Sequence, residues 1–126
     1  MKTNLLKLEL NFQIESVCLK KGNKITIHFE QPGKSAVTLK KITKGQSLLD
    51  VLLHNHIEIK HDCGGVCACS SCHIYVEKGG ECLEDVFLRE KHFIENANNP
   101  KPHSRLACQC LLTDDYGSVE LTVPMQ

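Results

Sequence analysis

The sequence predicts an α+β fold built on a mixed sheet, and three observations carry that expectation. Period-two alternation and helical periodicity follow one another in the order ββα, loop, β, α, ββ, which places helices between strands without the regular βαβ repeat of a doubly wound fold. The length of 126 residues and the 41% apolar content suit one domain with a modest core. The element pattern is broken once, by the cysteine-rich stretch HDCGGVCACSSCH at 61–73.

Taken in order, KITIHFE (24–30) and SAVTLKKI (35–42) alternate like strands, and the intervening QPGK carries a turn signal in its Pro and Gly, so the two form a hairpin. In KGQSLLDVLLHNH (44–56) the period changes: Leu48, Leu49, Leu52 and Leu53 fall on one helical face, with Ser47 as N-cap. A short extended piece, IEI (57–59), leads into the cysteine loop. Beyond it HIYVEK (73–78) reads as a strand ended by GGE, and LEDVFLREKHFIENA (83–97) as a second amphipathic helix stopped by NNPKP. The apolar SRLACQCLL (104–112) reads as a strand, TDDYG (113–117) as a turn and SVELTVP (118–124) as the last strand. Residues 1–21 precede the hairpin as an N-terminal extension, a strand or an arm; they alternate apolar and polar side chains and include Glu9 and Glu15. The domain proper is 22–126.

Composition excludes several classes. No apolar run approaches a bilayer span, and the N-terminus lacks the apolar block of a signal peptide and the Arg-rich character of a transit peptide. A soluble, cytoplasmic monomer is the expectation. The formal charge is zero, but residues 1–45 hold nine lysines against three glutamates and residues 46–126 hold six basic against twelve acidic side chains. The cysteine cluster lies in the acidic half. A nucleic-acid binder would place a basic patch at its working site, whereas an acidic working site suits a redox protein that meets a basic partner.

Eight cysteines stand at 18, 63, 67, 69, 72, 82, 108 and 110. A chain of this length does not need disulfide staples, and crowded cysteines in an intracellular protein bind metal or do redox chemistry. Cys63, Cys69 and Cys72 form C-x5-C-x2-C, and Cys108 follows 36 residues after Cys72. A loop can wrap three thiolates around a small inorganic core while a fourth arrives from another element. In a [2Fe–2S] rhomb each iron takes two bridging sulfides and two thiolates, so four cysteines complete both irons. Gly64 and Gly65 permit tight backbone, and the small Ala68, Ser70 and Ser71 leave room for N–H groups near the sulfurs. Four thiolates also suit a structural zinc module, though zinc motifs present paired C-x2-C units rather than three ligands on one loop.

The stretch DCGGVCACSSCH with His73 after the third cysteine, SRLACQC around Cys108, VP at 123–124 and the leading GQSLLDVLLHN resemble the adrenodoxin-like [2Fe–2S] ferredoxins, nearest the bacterial iron–sulfur-assembly branch. The resemblance covers roughly residues 22–126. It implies a β-grasp (ubiquitin-like) core, one [2Fe–2S] cluster, and Cys63, Cys69, Cys72 and Cys108 as its ligands. It implies no catalytic residues and a one-electron carrier that takes electrons from a flavoprotein reductase. The acceptor would be the iron–sulfur-assembly machinery, a cysteine desulfurase and scaffold, or, in the alternative branch, a haem-thiolate monooxygenase. Nucleic acid and membrane are not expected partners.

Cys67 is then a spare thiol in the ligand loop, either a small buried residue or a group for sulfur handling. Cys110, two residues after Cys108 on the expected strand, should share its face. Cys18 and Cys82 are expected to be ordinary buried or half-buried residues. His73 should brace the loop by hydrogen bonding, and Arg105 should pair with an acid on the second helix. The histidines at 54, 56, 61, 92 and 103 show no zinc spacing. One departure from the family is the second helix, where Glu84, Asp85, Glu90 and Glu95 are interleaved with Arg89, Lys91 and His92.

Overall fold

The computed structural model describes residues 22–62 and 70–125. The N-terminal extension and Cys63, Cys67 and Cys69 lie outside the described residues.

Five strands form one mixed sheet: β1 (Gly22–Phe29), β2 (Val37–Ile42), β3 (His73–Lys78), β4 (Ser104–Leu106) and β5 (Tyr116–Val123), in the order β2-β1-β5-β3-β4. β1 and β5 run parallel, and the other neighbours are antiparallel. The hairpin β1–β2 and the strand at 73–78 fall where the alternation places them. Alternation also fixes which face is buried, because successive side chains point to opposite faces. Ile25 and Ile27 of β1, Ile74 of β3 and Val119 and Leu121 of β5 are fully buried, and they meet Leu48, Val51 and Leu52 of the first helix.

That helix, α1 (Leu48–His54), starts where Ser47 caps it: the Ser47 hydroxyl accepts from the Asp50 N–H at 3.0 Å. It ends as Asn55 Nδ2 donates to the Val51 carbonyl at 2.7 Å. IEI contributes no strand, yet Ile57 and Ile59 are buried on either side of exposed Glu58.

Two expected elements are shorter than their periodicity. The second helix, α2, spans only Leu88–Glu95. Gly80–Cys82 forms a 3-10 turn and Leu83 bridges Leu112, which draws residues 82–84 into a pairing with the C-terminal half and away from helix. Val86, Phe87 and Leu88, read as part of an amphipathic helix, are 38%, 45% and 83% exposed. The stretch 104–112 is not a continuous strand: after β4 the chain forms a 3-10 turn at Ala107–Gln109, then single bridges from Leu111 to Ser47 and from Leu112 to Leu83.

Gly79 shows why GGE ends β3. It has φ 84°, and a Cβ there would stand 2.1 Å from the Ser118 carbonyl oxygen of the neighbouring strand. Only glycine meets both demands. Among the described residues no helix is long and apolar enough to cross a membrane.

Candidate metal centre

The register of the β3–β4 pair brings the two described candidate ligands together. His73 pairs with Leu106, Ile74 with Arg105 and Tyr75 with Ser104. Continuing that register by one residue sets Cys72 opposite Ala107, and the Ala107 N–H donates to the Cys72 carbonyl at 2.9 Å. Cys108 is the next residue. A loop cysteine and a cysteine 36 positions later are thereby placed side by side, both buried. Cys108 stands within the 3-10 turn and not on a strand.

The base of the intervening loop is also closed. The Asp62 N–H donates to the Ser71 hydroxyl at 2.8 Å, so the two flanks of residues 63–70 meet. Ser70 reaches toward the Asn96 carbonyl at 3.5 Å.

His73 braces this corner as expected, through a side chain as well as backbone. Its Nε2 and the Ser104 hydroxyl are 2.7 Å apart, and the same hydroxyl accepts from the Lys101 N–H at 2.7 Å. Tyr75 meets the imidazole edge-on at 4.8 Å and donates its hydroxyl to the Asn99 carbonyl at 2.8 Å. Desolvation by burial lowers the His73 pKa below the usual imidazole value, outweighing Glu30 and a backbone hydrogen bond to Asn98, which raise it.

Arg105 pairs with an acid of α2, and that acid is Glu90. The guanidinium donates from Nε to Oε2 at 2.7 Å and from Nη2 to Oε1 at 3.1 Å, and Oε2 also accepts from the Leu106 N–H at 3.0 Å. Glu90 is fully buried. A buried carboxylate is tolerable only when paired and hydrogen-bonded, as here. It therefore holds β4, immediately before Cys108, and does not belong to any acidic partner face.

Cys110 corrects a sequence expectation. The 3-10 turn removes the strand alternation, and Cys110 is fully buried with its thiol donating to the Leu106 carbonyl at 3.3 Å. Burial pushes the thiol up to about 12, against a smaller opposing pull from Arg105. A group kept as thiol and turned into the core is unsuited to ligate iron, which takes thiolate. Sequence reasoning also missed Gln109, whose Nε2 donates to Cys108 Sγ at 3.3 Å. An N–H aimed at this sulfur suits a thiolate ligand. Only the 3-10 turn folds that side chain back onto its neighbour. Buried paired cysteines, a sulfur-directed donor and a closed loop base fit a [2Fe–2S] group.

The domain family described as the 2Fe-2S iron-sulfur cluster binding domain matches residues 31–113, and the chain belongs to that family. It is a [2Fe–2S] ferredoxin, an electron carrier rather than an enzyme, with one cluster and the β-grasp fold. The chain is 39% identical over 77 residues to the 2Fe-2S ferredoxin of Escherichia coli K12, covering 61% of this chain and 69% of that one. It is 37% identical over 106 residues to mitochondrial adrenodoxin of Sus scrofa, covering 81% of this chain but 56% of that protein. Among solved structures it is similar to the ISC-like [2Fe–2S] ferredoxin of Pseudomonas putida, with TM-score 0.72 and 29% identity over 81% of this chain and 92% of that one. It is similar too to putidaredoxin in its covalent complex with putidaredoxin reductase, with TM-score 0.66 and 29% identity over 82% and 99% of the two chains. The structural-zinc alternative is set aside by this membership.

Proposed function

We propose that Cys63, Cys69, Cys72 and Cys108 hold the cluster, that a cytoplasmic flavoprotein reductase loads the carrier, and that its electrons go to the iron–sulfur-assembly machinery. The observation that carries the ligand set is the Ala107–Cys72 hydrogen bond, which seats Cys108 beside Cys72 and supports a shared diiron centre. When bound, the cluster supplies one-electron redox chemistry. The chain's own part is to fix the sulfurs, to aim the Gln109 amide at one of them, and to keep that corner rigid through Glu90 and His73.

Similarity to an ISC-like ferredoxin and to a ferredoxin captured with its reductase supports the assembly acceptor and the reductase donor respectively. A sulfane sulfur needs two electrons to become sulfide, so each such reduction draws on two deliveries by a one-electron carrier. The mixed charge of α2, with Arg89, Lys91 and His92 among its acids, favours a partner contact that depends on shape as well as charge.

The test is reconstitution with NADPH, a flavoprotein ferredoxin reductase and either a cysteine desulfurase–scaffold complex or a haem-thiolate monooxygenase. The expected result is faster sulfide release and cluster formation on the scaffold. Electron delivery to the monooxygenase alone would overturn the assembly reading in favour of the adrenodoxin-like alternative.

A further inference from the structure

Among the described cysteines, Cys72 and Cys108 belong to the proposed ligand set and Cys110 is turned into the core. Cys82 is left over, and it is half-exposed. Near it lies a buried oxygen with no hydrogen-bond donor. Asn23 is 1% exposed. Its Nδ2 donates to the Ile42 carbonyl at 2.9 Å and to the Asp114 carbonyl at 2.7 Å, which uses both amide hydrogens. The reverse orientation would set Oδ1 against two carbonyl oxygens, so the way the amide faces is fixed. Oδ1 has no partner, and among the described residues it is the only buried side-chain nitrogen or oxygen so left. A buried acceptor without a donor is costly, and folded proteins leave few of them.

Asn23 of β1 and Gly117 of β5 are register partners. A Cβ on Gly117 would stand 3.1 Å from Asn23 Oδ1 and 2.7 Å from Cys82 Sγ. The oxygen and the sulfur therefore border one small space that the glycine leaves open. Cys82 is anchored there by its backbone. Its N–H donates to the Gly79 carbonyl at 2.9 Å, and its carbonyl accepts from the Thr113 N–H at 3.1 Å and the Thr113 hydroxyl at 3.2 Å. The thiol itself reaches toward the Ser118 carbonyl, at 4.0 Å, and supplies nothing to Oδ1.

We infer that Cys82 is an oxidative modification site: a hydroperoxide converts its thiol to a sulfenic acid, and the new hydroxyl donates to Asn23 Oδ1. The thiolate attacks one oxygen of the peroxide, and the S–O bond forms as the O–O bond breaks. Sulfur gives up two electrons and keeps the hydroxyl. The departing hydroxide or alkoxide takes the proton that the thiol released and leaves as water or alcohol. The added oxygen extends the side chain by one bond over Gly117 and carries the donor that the amide lacks. A mixed disulfide would add bulk in that space and no donor. The site is remote from the cluster corner: β5 runs about 20 Å from Gly117 to Val123, and Cys72 lies beyond the Val123 end because Tyr75 pairs with Thr122.

The test treats the oxidised full-length holoprotein with an equimolar amount of hydrogen peroxide, then catalase, then dimedone, which alkylates sulfenic acids. Peptide mass spectrometry should find the adduct on Cys82 while the cluster absorbance is retained. With dimedone added after increasing delays, trappable Cys82 should decline at least about fivefold more slowly in the wild type than in Asn23→Ser, which lacks the amide oxygen. NMR supplies a readout that needs no variant at Asn23. Its side-chain amide resonances should shift on peroxide treatment of the wild type and stay in place in Cys82→Ser. Absence of the adduct on Cys82 would overturn the inference, as would equal decline in a folded Asn23→Ser. So would an adduct that leaves the Asn23 resonances unmoved, the result expected if a bound water answers Oδ1. Oxidation confined to the cluster ligands, with loss of absorbance, would overturn it as well.

Discussion

Glu90 is a fully buried charge beside the metal corner. Its carboxylate is fully buried and answers both Arg105 and the Leu106 N–H. Removing one partner of a buried pair leaves the other uncompensated, which costs about 3–5 kcal/mol. Glu90→Ala should therefore lower unfolding free energy by about 3 kcal/mol in denaturant titration. A loss below about 1 kcal/mol would show that Arg105 finds water instead. Gln109 makes a finer prediction. Its N–H toward Cys108 Sγ favours the more negative, reduced state. Gln109→Leu should leave the visible spectrum in place and move the midpoint potential downward in a spectroelectrochemical titration; an unchanged or raised potential contradicts the hydrogen bond. Cys110 and Cys82 differ in burial: one is fully buried, the other half-exposed beside Ser118. Iodoacetamide on the folded holoprotein should modify Cys82 and spare Cys110, as read by peptide mass spectrometry.

Elements succeed or fail in this chain according to how local their causes are. β1 and β5 were legible because alternation alone decides which side chains enter the core, and α1 because Ser47 and four leucines lie within one short window. Ser47→Ala should cost about 1 kcal/mol and Ser47→Gly only a few tenths, since glycine is a tolerable cap. Gly79→Ala should cost about 2 kcal/mol in the same denaturant assay, through positive φ and the clash with the Ser118 carbonyl. The 83–87 and 107–112 stretches were not legible. Leu83 and Leu112 answer each other across 29 residues, and no window-based periodicity contains both. The apolar run ACQCLL supports strand or turn equally well by composition, and only the pairing of β4 with β3 and the Ala107–Cys72 bond decide it. For the same reason the cysteine spacing disclosed a candidate ligand set, while the Gln109 donor and the inward turn of Cys110 required the fold.

At the scale of the whole molecule, the sheet separates two tasks. β3 and β4 occupy one edge with Cys72 and Cys108, and β2 with Lys40 and Lys41 occupies the other. Among the described residues before position 46, Lys24, Lys34, Lys40, Lys41 and Lys44 stand against Glu30 alone, whereas residues 46–126 carry the acidic excess. Because α2 presents Arg89, Lys91 and His92 among its acids and spends Glu90 internally, raising ionic strength should slow reductase-coupled reduction only modestly. The central claim is that two loop thiolates meet Cys72 and Cys108 around one pair of irons. Its most direct test is EPR of the dithionite-reduced holoprotein with iron quantified, comparing Cys108→Ser and Cys67→Ser with the wild type. The account predicts an intact signal of one spin per two irons for Cys67→Ser and a lost or strongly altered signal for Cys108→Ser. An unaltered Cys108→Ser signal at full iron content would contradict it.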